Sequence, residues 1–323
     1  MAQTRQSLSH RFSSESTADE SIHQTTLSTL AKAAQGKPFI LDDVPLRMMY
    51  LTPDCMQSVM RIDDPTHLLC DYSRTMMGLV LFNPQPRHIV LIGLGGGSLV
   101  KYCYQYFPEC RITAVEINAD VIAMREQFMI PADDQRLNII HADAVDWLPQ
   151  QQGDADVIFL DAYDINGLVP ALNNKDFYAT CYKQLNKGGI LVANVWGKPS
   201  TLAPMLTMLH QQFLHQVCWA KSADSYNLLV FSVKESDAIV DAVTQQQVAD
   251  SLIENHPTLE LGALIKKLKS LGYQKQASIP ESQLSAALLK SLRSIMVSDA
   301  NVPQNYAEFK ALMLPSPTDS SRY

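Results

Sequence analysis

Through the middle of the chain, apolar residues follow two alternating rhythms. Short, largely apolar runs at residues 89–92, 112–115, 137–140, 157–160 and 190–195 have the length and composition of strands in a covered sheet. Between them, apolar side chains recur at helical spacing. Leu99, Val100, Cys103, Tyr104 and Phe107 mark one helix, and others are predicted over residues 119–128, 175–185 and 201–213, the one over 175–185 stopped by Gly188-Gly189. Residues 216–220 and 226–233 read as a closing pair of strands. Strands alternating with helices predict an α/β fold with a doubly wound, Rossmann-like parallel sheet, whose ligands bind at the carboxyl ends of the strands.

The flanks follow other patterns. Residues 1–36 are rich in Ser, Thr, Gln and charge and predict a poorly ordered or loosely helical lead-in. Across residues 37–66, short apolar bursts are broken by Asp42-Asp43, Pro45 and Pro53-Asp54, the punctuation of a small β element. A helix over 68–82 then leads into the central domain, set at 67–235. From 236 to 323 the pattern is helical, with one stripe at Leu261, Leu264, Ile265, Leu268 and Leu271 and a second at Leu284, Leu288, Leu292 and Ile295. Lys266, Lys267 and Lys269 fit the solvated face of such a helix. This extension could pack on the main domain, mediate self-association such as a homodimer, or cover the site.

The candidate chemistry gathers at strand ends. The run at 89–92 meets Gly93-Leu94-Gly95-Gly96-Gly97 and then a helix, while the next strand ends in Glu116. Glycines let backbone N–H groups approach a ligand, and an acid about 20 residues on can bind ribose hydroxyls. An adenosine-containing ligand is the expectation. Asp143 stands where a carboxylate can accept from the adenine amine, or can cap the helix starting at Ala144. Asp161 ends the fourth strand and Asp164 follows in the loop, so both can face the crevice.

A net charge of −7 and a pI near 5.6 argue against nucleic acid or an anionic membrane as partner. No apolar run approaches the roughly 18 residues of a membrane span, and cytoplasm is the expected compartment. Six scattered cysteines without a CxxC pair predict free thiols, and the histidines show no metal-ligand spacing, so no metal is expected.

The motifs GLGGGSL, VEIN, HADAVDWL and DAYDINGLVPALNNKDFYATCYKQLNKGGILVAN resemble the spermidine/spermine synthase family, aminopropyltransferases built on the class I methyltransferase fold. The resemblance covers about residues 68–233. It implies that Gly93, Gly95, Gly96 and Gly97 cradle the nucleoside and sulfonium arm of decarboxylated S-adenosylmethionine, with Glu116 on the ribose and Asp143 on the adenine. It further implies that Asp161 is the general base, and that Asp164, with Tyr72, binds a small-molecule amine acceptor. The chemistry is consistent with those roles. An alkyl ammonium of pKa about 10.4 is about 99.9% protonated at neutral pH, and the amine must lose that proton to attack.

Other positions depart from the family pattern. The Asp expected in the glycine loop is Gly96, the Tyr-His/Gln-Glu cluster ahead of the central strand is Asp71-Tyr72-Ser73-Arg74, and Ile165 replaces a Pro after the second loop Asp. Cys218-Trp219-Ala220-Lys221 stands where a Tyr-Pro segment is expected. A neutral, N–H-rich loop suits a carboxylate better than an ammonium. Aminopropyl transfer is the leading expectation. Methyl transfer from intact S-adenosylmethionine is the first alternative, and a catalytically silent nucleoside-binding protein the second.

Overall fold

The computed structural model describes residues 20–164, 167–235, 242–271, 280–296, 302–303 and 305–314, with residues 164, 167, 168 and 242–246 described through their backbone alone. Most of the lead-in, residues 1–19, lies outside the described residues. The remainder, 20–34, is a helix, α1, the helical one of the two alternatives that the composition left open. Leu27 is its buried contact.

Strands β1 (Phe39–Asp43), β2 (Leu46–Thr52) and β3 (Cys55–Arg61) form an antiparallel three-stranded sheet. Its apolar face gathers Phe39, Leu46, Met48 and Val59 against Leu27 of α1. The helix expected over 68–82 is split into α2 (Asp71–Met76) and a tighter 3₁₀ turn over Met77–Leu81. At the split, a Cβ on Gly78 would sit 2.2 Å from the Leu264 side chain.

The central sheet then builds up in turn. Strand β4 (His88–Ile92) leads to helix α3 (Ser98–Tyr106), β5 (Arg111–Glu116) to α4 (Ala119–Ala123), and β6 (Leu137–His141) to α5 (Ala144–Trp147). Strand β7 (Ala155–Leu160) is followed by a two-residue hairpin, β8 (Tyr163–Asp164) with β9 (Gly167–Leu168), and by helix α6 (Lys175–Gln184). Strands β10 (Leu185–Trp196), β11 (Val217–Lys221) and β12 (Asn227–Val233) complete it, with α7 (Pro199–Gln212) after β10. Among the described residues the order is β11-β12-β10-β7-β4-β5-β6, parallel except where β12 pairs antiparallel with β10 and β11. All five residues of β4 are buried, as expected of a strand covered on both faces. This is the α/β sheet the alternation predicts.

Two boundaries differ from expectation. Gly188-Gly189 does not cap α6; the helix stops at Gln184, where buried Leu185 turns extended and opens β10 directly. The glycines instead form an irregularity in the β10–β7 register between Leu185 and Ile190, with Gly188 at φ +76°. Helix α4 is also shorter than 119–128, because the chain tightens into i→i−3 turns at Met124 and Arg125.

The C-terminal extension contains α8 (Ala242–Leu252), α9 (Leu261–Lys267), α10 (Glu281–Ile295) and α11 (Tyr306–Met313). Leu284, Leu288 and Leu292 of α10 are buried together with α7 residues such as Leu202 and Leu206. Lys269 exchanges two 2.8 Å backbone hydrogen bonds with Trp219, covering part of the β11 edge that the helical pattern did not foretell. Lys267 is not simply solvated, since its Nζ lies 3.7 Å from Asp71.

Candidate active site

The sheet changes direction beside β4, where the chain winds outward through β5 and β6 on one side and through β7 and β10 on the other. Open α/β sheets place their crevice at such a switch point. The pairing of Ile92 with Leu160 brings the glycine turn after β4 against Asp161 after β7. The Asp161 N–H donates to the Ile92 carbonyl at 2.9 Å. Gly93, at φ +96°, must be glycine, because a Cβ there would lie 2.2 Å from the Asp161 carbonyl oxygen.

Most of the loop's N–H groups point inward. Gly93 donates to the Val115 carbonyl, Gly97 to the Leu94 carbonyl, Leu94 to Glu116 Oε2 and Gly96 to Ser58 Oγ, all at 2.8–2.9 Å. This corrects the picture of a loop rich in free donors. The free donors belong to the first turn of α3, which no side chain caps. A Cβ at Gly96 would come 2.8 Å from the Phe128 ring and 2.9 Å from Ser58 Cβ. The space for the acid this position lacks is taken by β3 and by the segment after α4.

A cavity of about 920 Å³ opens on this loop, near the top of the roughly 300–1,000 Å³ range of small-molecule sites. Gly93, Gly95, Gly96, Gly97, Tyr72 and Asp161 all line it. The strand ends form one side. Much of the remaining described lining comes from α1, the β2–β3 hairpin and residues 302–303 and 305–313. Its described lining carries four acids, Glu20, Asp54, Asp161 and Asp224, and no Lys or Arg.

Asp161 is held by a relay of amides. Asn227 Nδ2 donates to Asn194 Oδ1 at 2.7 Å, and Asn194 Nδ2 donates to Asp161 Oδ1 at 2.9 Å. Burial pushes the Asp161 carboxyl above the ordinary range, against the opposing pull of the Asn194 hydrogen bond. Burial, and then the charge of Asp161, push the Tyr72 phenol well above its ordinary value, so it faces the cavity as a neutral O–H. Asp224, on the β11–β12 turn, accepts from Ser222 Oγ at 2.8 Å and from the Asp71 N–H at 2.7 Å. Among the described residues neither Asp161 nor Asp224 has an ion-pair partner, whereas Asp71 has Arg74 and Lys267, each at 3.7 Å.

The remaining expected residues stand apart. Glu116 supports the loop through Leu94, and its other oxygen accepts from the Asn118 N–H at 2.9 Å. Asp143 is exposed and caps α5 by accepting from the Val145 N–H at 2.8 Å. Neither lines the cavity. Ile117, immediately after Glu116, is 64% exposed, an apolar surface next to that acid in the chain. The Asp164 side chain lies outside the described part. Among the described residues no three His, Cys, Asp or Glu side chains are arranged to hold a metal ion, and no helix is long and apolar enough to cross a membrane. None of the six cysteines forms a disulfide.

Three participants escaped the pattern reading: Asn194, Asp224 and Ser58. Asn194 did leave a trace, as a lone amide closing the apolar run ILVAN. Ser58 and Asp224 left none, because only tertiary packing brings them to the loop and the cavity.

Residues 69–231 match the spermine/spermidine synthase domain. The chain belongs to the spermine/spermidine synthase family. Membership makes it a transferase. It is 33% identical over 236 residues to a polyamine aminopropyltransferase of Chromobacterium violaceum, covering 73% of this chain and 90% of that protein. A probable spermidine synthase from Corynebacterium glutamicum shares the fold at TM-score 0.56 and 16% identity, covering 75% of this chain and 95% of that one. Human methyltransferase-like protein 13, solved in complex with SAH, does so at 0.53 and 20%, covering 65% and 98%. The family's sheet is thus of the class I methyltransferase type.

Proposed function

We propose that this chain transfers an aminopropyl group from decarboxylated S-adenosylmethionine to an amine acceptor. The observation that carries the reading is the cavity beside the glycine loop, whose described lining has four acids and no Lys or Arg. Such a lining favours cations, and both the sulfonium donor and an ammonium acceptor are cations.

In this reading the acceptor nitrogen enters between Asp161 and Asp224. Asp161 takes the ammonium proton, helped by burial that raises its affinity for protons toward the range a general base needs. The freed lone pair attacks the carbon next to sulfur. A C–N bond forms, the C–S bond breaks with its electron pair left on sulfur, and a neutral thioether departs. Asn194 and Asn227 hold the Asp161 carboxylate in place, and Tyr72 offers a neutral O–H to the amine. Glu116 would receive the ribose, Ile117 would pack on adenine and Asp143 would meet its edge.

A second reading keeps the site and changes the donor to intact S-adenosylmethionine, for methyl transfer. The position of the absent loop acid is filled by Ser58 and Phe128, and the uncapped first turn of α3 lines the cavity, where a carboxylate could bind. Calorimetry with both donors separates the readings. Tighter binding of the decarboxylated donor is expected, and a clear preference for the carboxylated one would sink the aminopropyl assignment. Asp161→Asn is expected to lower kcat by about 10²–10⁴-fold. Turnover that survives within a few-fold would remove Asp161 as the base.

A further inference from the structure

Residues 302–303 and 305–313 reach the cavity from outside the family-matched segment, which ends at residue 231. Val302, Pro303, Asn305, Tyr306, Phe309 and Met313 line it, side by side with Glu20, His23 and Leu27 of α1. The two elements are clasped to each other and to the small sheet. Glu20 Oε2 accepts from the Tyr306 N–H at 3.0 Å. The His23 ring stacks on the Tyr306 ring with centroids 3.6 Å apart and planes 8° from parallel. Asp43 Oδ2 accepts from the Tyr306 hydroxyl at 2.6 Å and from Lys310 Nζ at 2.7 Å. Asp43 is not among the lining residues, so it holds the wall from behind. Met313 and Leu27 close the apolar underside.

This wall lines the same space as Asp161 and Asp224. An acceptor whose reacting nitrogen is at Asp161 can extend the rest of its chain through that space toward this wall. The wall is mixed in character: aromatic at Tyr306 and Phe309, and acidic at Glu20. Aromatic surface next to a carboxylate suits alternating methylene and ammonium groups.

We propose that α11, clasped to α1, is the acceptor-selecting wall of this enzyme and that Tyr306 and Phe309 set the length of amine accommodated behind Asp161. The proposal rests on the amine-transfer reading. Tyr306 and Phe309 are specificity-determining residues, and Asp43 is a positioning residue that acts through Tyr306 and Lys310. Shortening the wall opens space along the acceptor axis, while the donor side, built from β4, β5 and the glycine loop, is untouched.

The test uses linear α,ω-diamines of increasing carbon number with the full chain, measuring kcat/KM for each and, separately, calorimetric binding of each. Tyr306→Ala and Phe309→Ala should move the optimum toward longer diamines, changing the long-to-short ratio by about tenfold or more per added methylene, with donor affinity unchanged. Tyr306→Phe, which keeps the stack and loses the Asp43 hydrogen bond, and Asp43→Asn should broaden the preference in the same direction. If diamines bind and react but the length profile keeps its shape in all four variants, or every acceptor falls by the same factor, the wall has only a structural role and the proposal is overturned. If no diamine binds to the wild-type chain, the amine-transfer reading itself fails and the wall proposal fails with it. Because binding is read apart from turnover, the two failures are distinguishable.

Discussion

Gly96, Phe128 and Lys101 form one stack beneath the cavity, and each constrains the next. The Phe128 ring packs where a Gly96 side chain would go, and the Phe128 carbonyl accepts from Lys101 Nζ at 2.8 Å. Restoring an acid with Gly96→Asp is therefore not a simple return to the family pattern. The substitution is expected to destabilise the fold by about 1–3 kcal/mol through overpacking, read as a lower denaturant midpoint at unchanged slope. Partial recovery is expected when Phe128→Leu is added. Lys101 is 2% exposed and its pKa is pushed down to about 8 by burial, with no carboxylate beside it. Its folded-state pKa lies below the unfolded value, so the unfolded chain binds more protons between pH about 8 and about 10.5, and this residue makes stability rise with pH across that window. Lys101→Met should flatten that rise, with the stability difference between the two proteins changing by about 3 kcal/mol between pH 8 and 10.5 in urea titrations. A difference that stays constant over the window would mean that Lys101 titrates as it would in water.

At the scale of elements, the sheet was legible because buried parallel strands leave largely apolar runs: those of β4 and β7 are unbroken, and those of β5, β6 and β10 are each interrupted once, at Thr113, Asn138 and Asn194. The glycine turn and the acids at Glu116, Asp143 and Asp161 were legible for the same reason, since each follows the end of such a run. Asp143 was legible as a position but not as a role, because its N-cap geometry appears only once Val145 is placed. The helix ends were harder to read. A glycine pair looks the same in sequence whether it caps a helix or bends a strand, and only the burial of Leu185 decides for the strand. Likewise, nothing local marks Gly78, which is needed because Leu264 arrives from almost two hundred residues away. The leucine stripe of α10 was read correctly and carries a direct consequence. Leu288 is fully buried between α10 and α7, so Leu288→Ala should lower stability by about 2–5 kcal/mol in denaturant unfolding, depending on how far the cavity collapses. A loss under about 0.5 kcal/mol would mean that α10 is not part of the cooperative unit.

At the scale of the whole molecule, the acidic balance has a local counterpart in the cavity lining. The net charge of −7 could have been only a matter of solubility, but Glu20, Asp54, Asp161 and Asp224 lie around one space whose described lining lacks Lys and Arg. That concentration was not visible in the sequence, where these acids lie 34, 107 and 63 positions apart in turn. The wall of α1 and α11 was invisible for the same reason: the lead-in's composition gave no buried face, no stripe was read over residues 306–313, and the partnership of the two helices across the small sheet is purely tertiary.

That partnership has a consequence for the order of assembly. Glu20 and Tyr306 are 286 positions apart, so the loop their contact closes is nearly as long as the chain, whereas the neighbouring strands of the sheet pair over much shorter spans. Long-range closures of this kind form late and are entropically the most expensive. As the chain leaves the ribosome, the glycine turn and Asp161 can come together once β12 has emerged, while the cavity still lacks one side. A nascent or prematurely stopped chain would thus present the glycine turn and Asp161 in a cavity that still lacks the residues α1 and α11 supply.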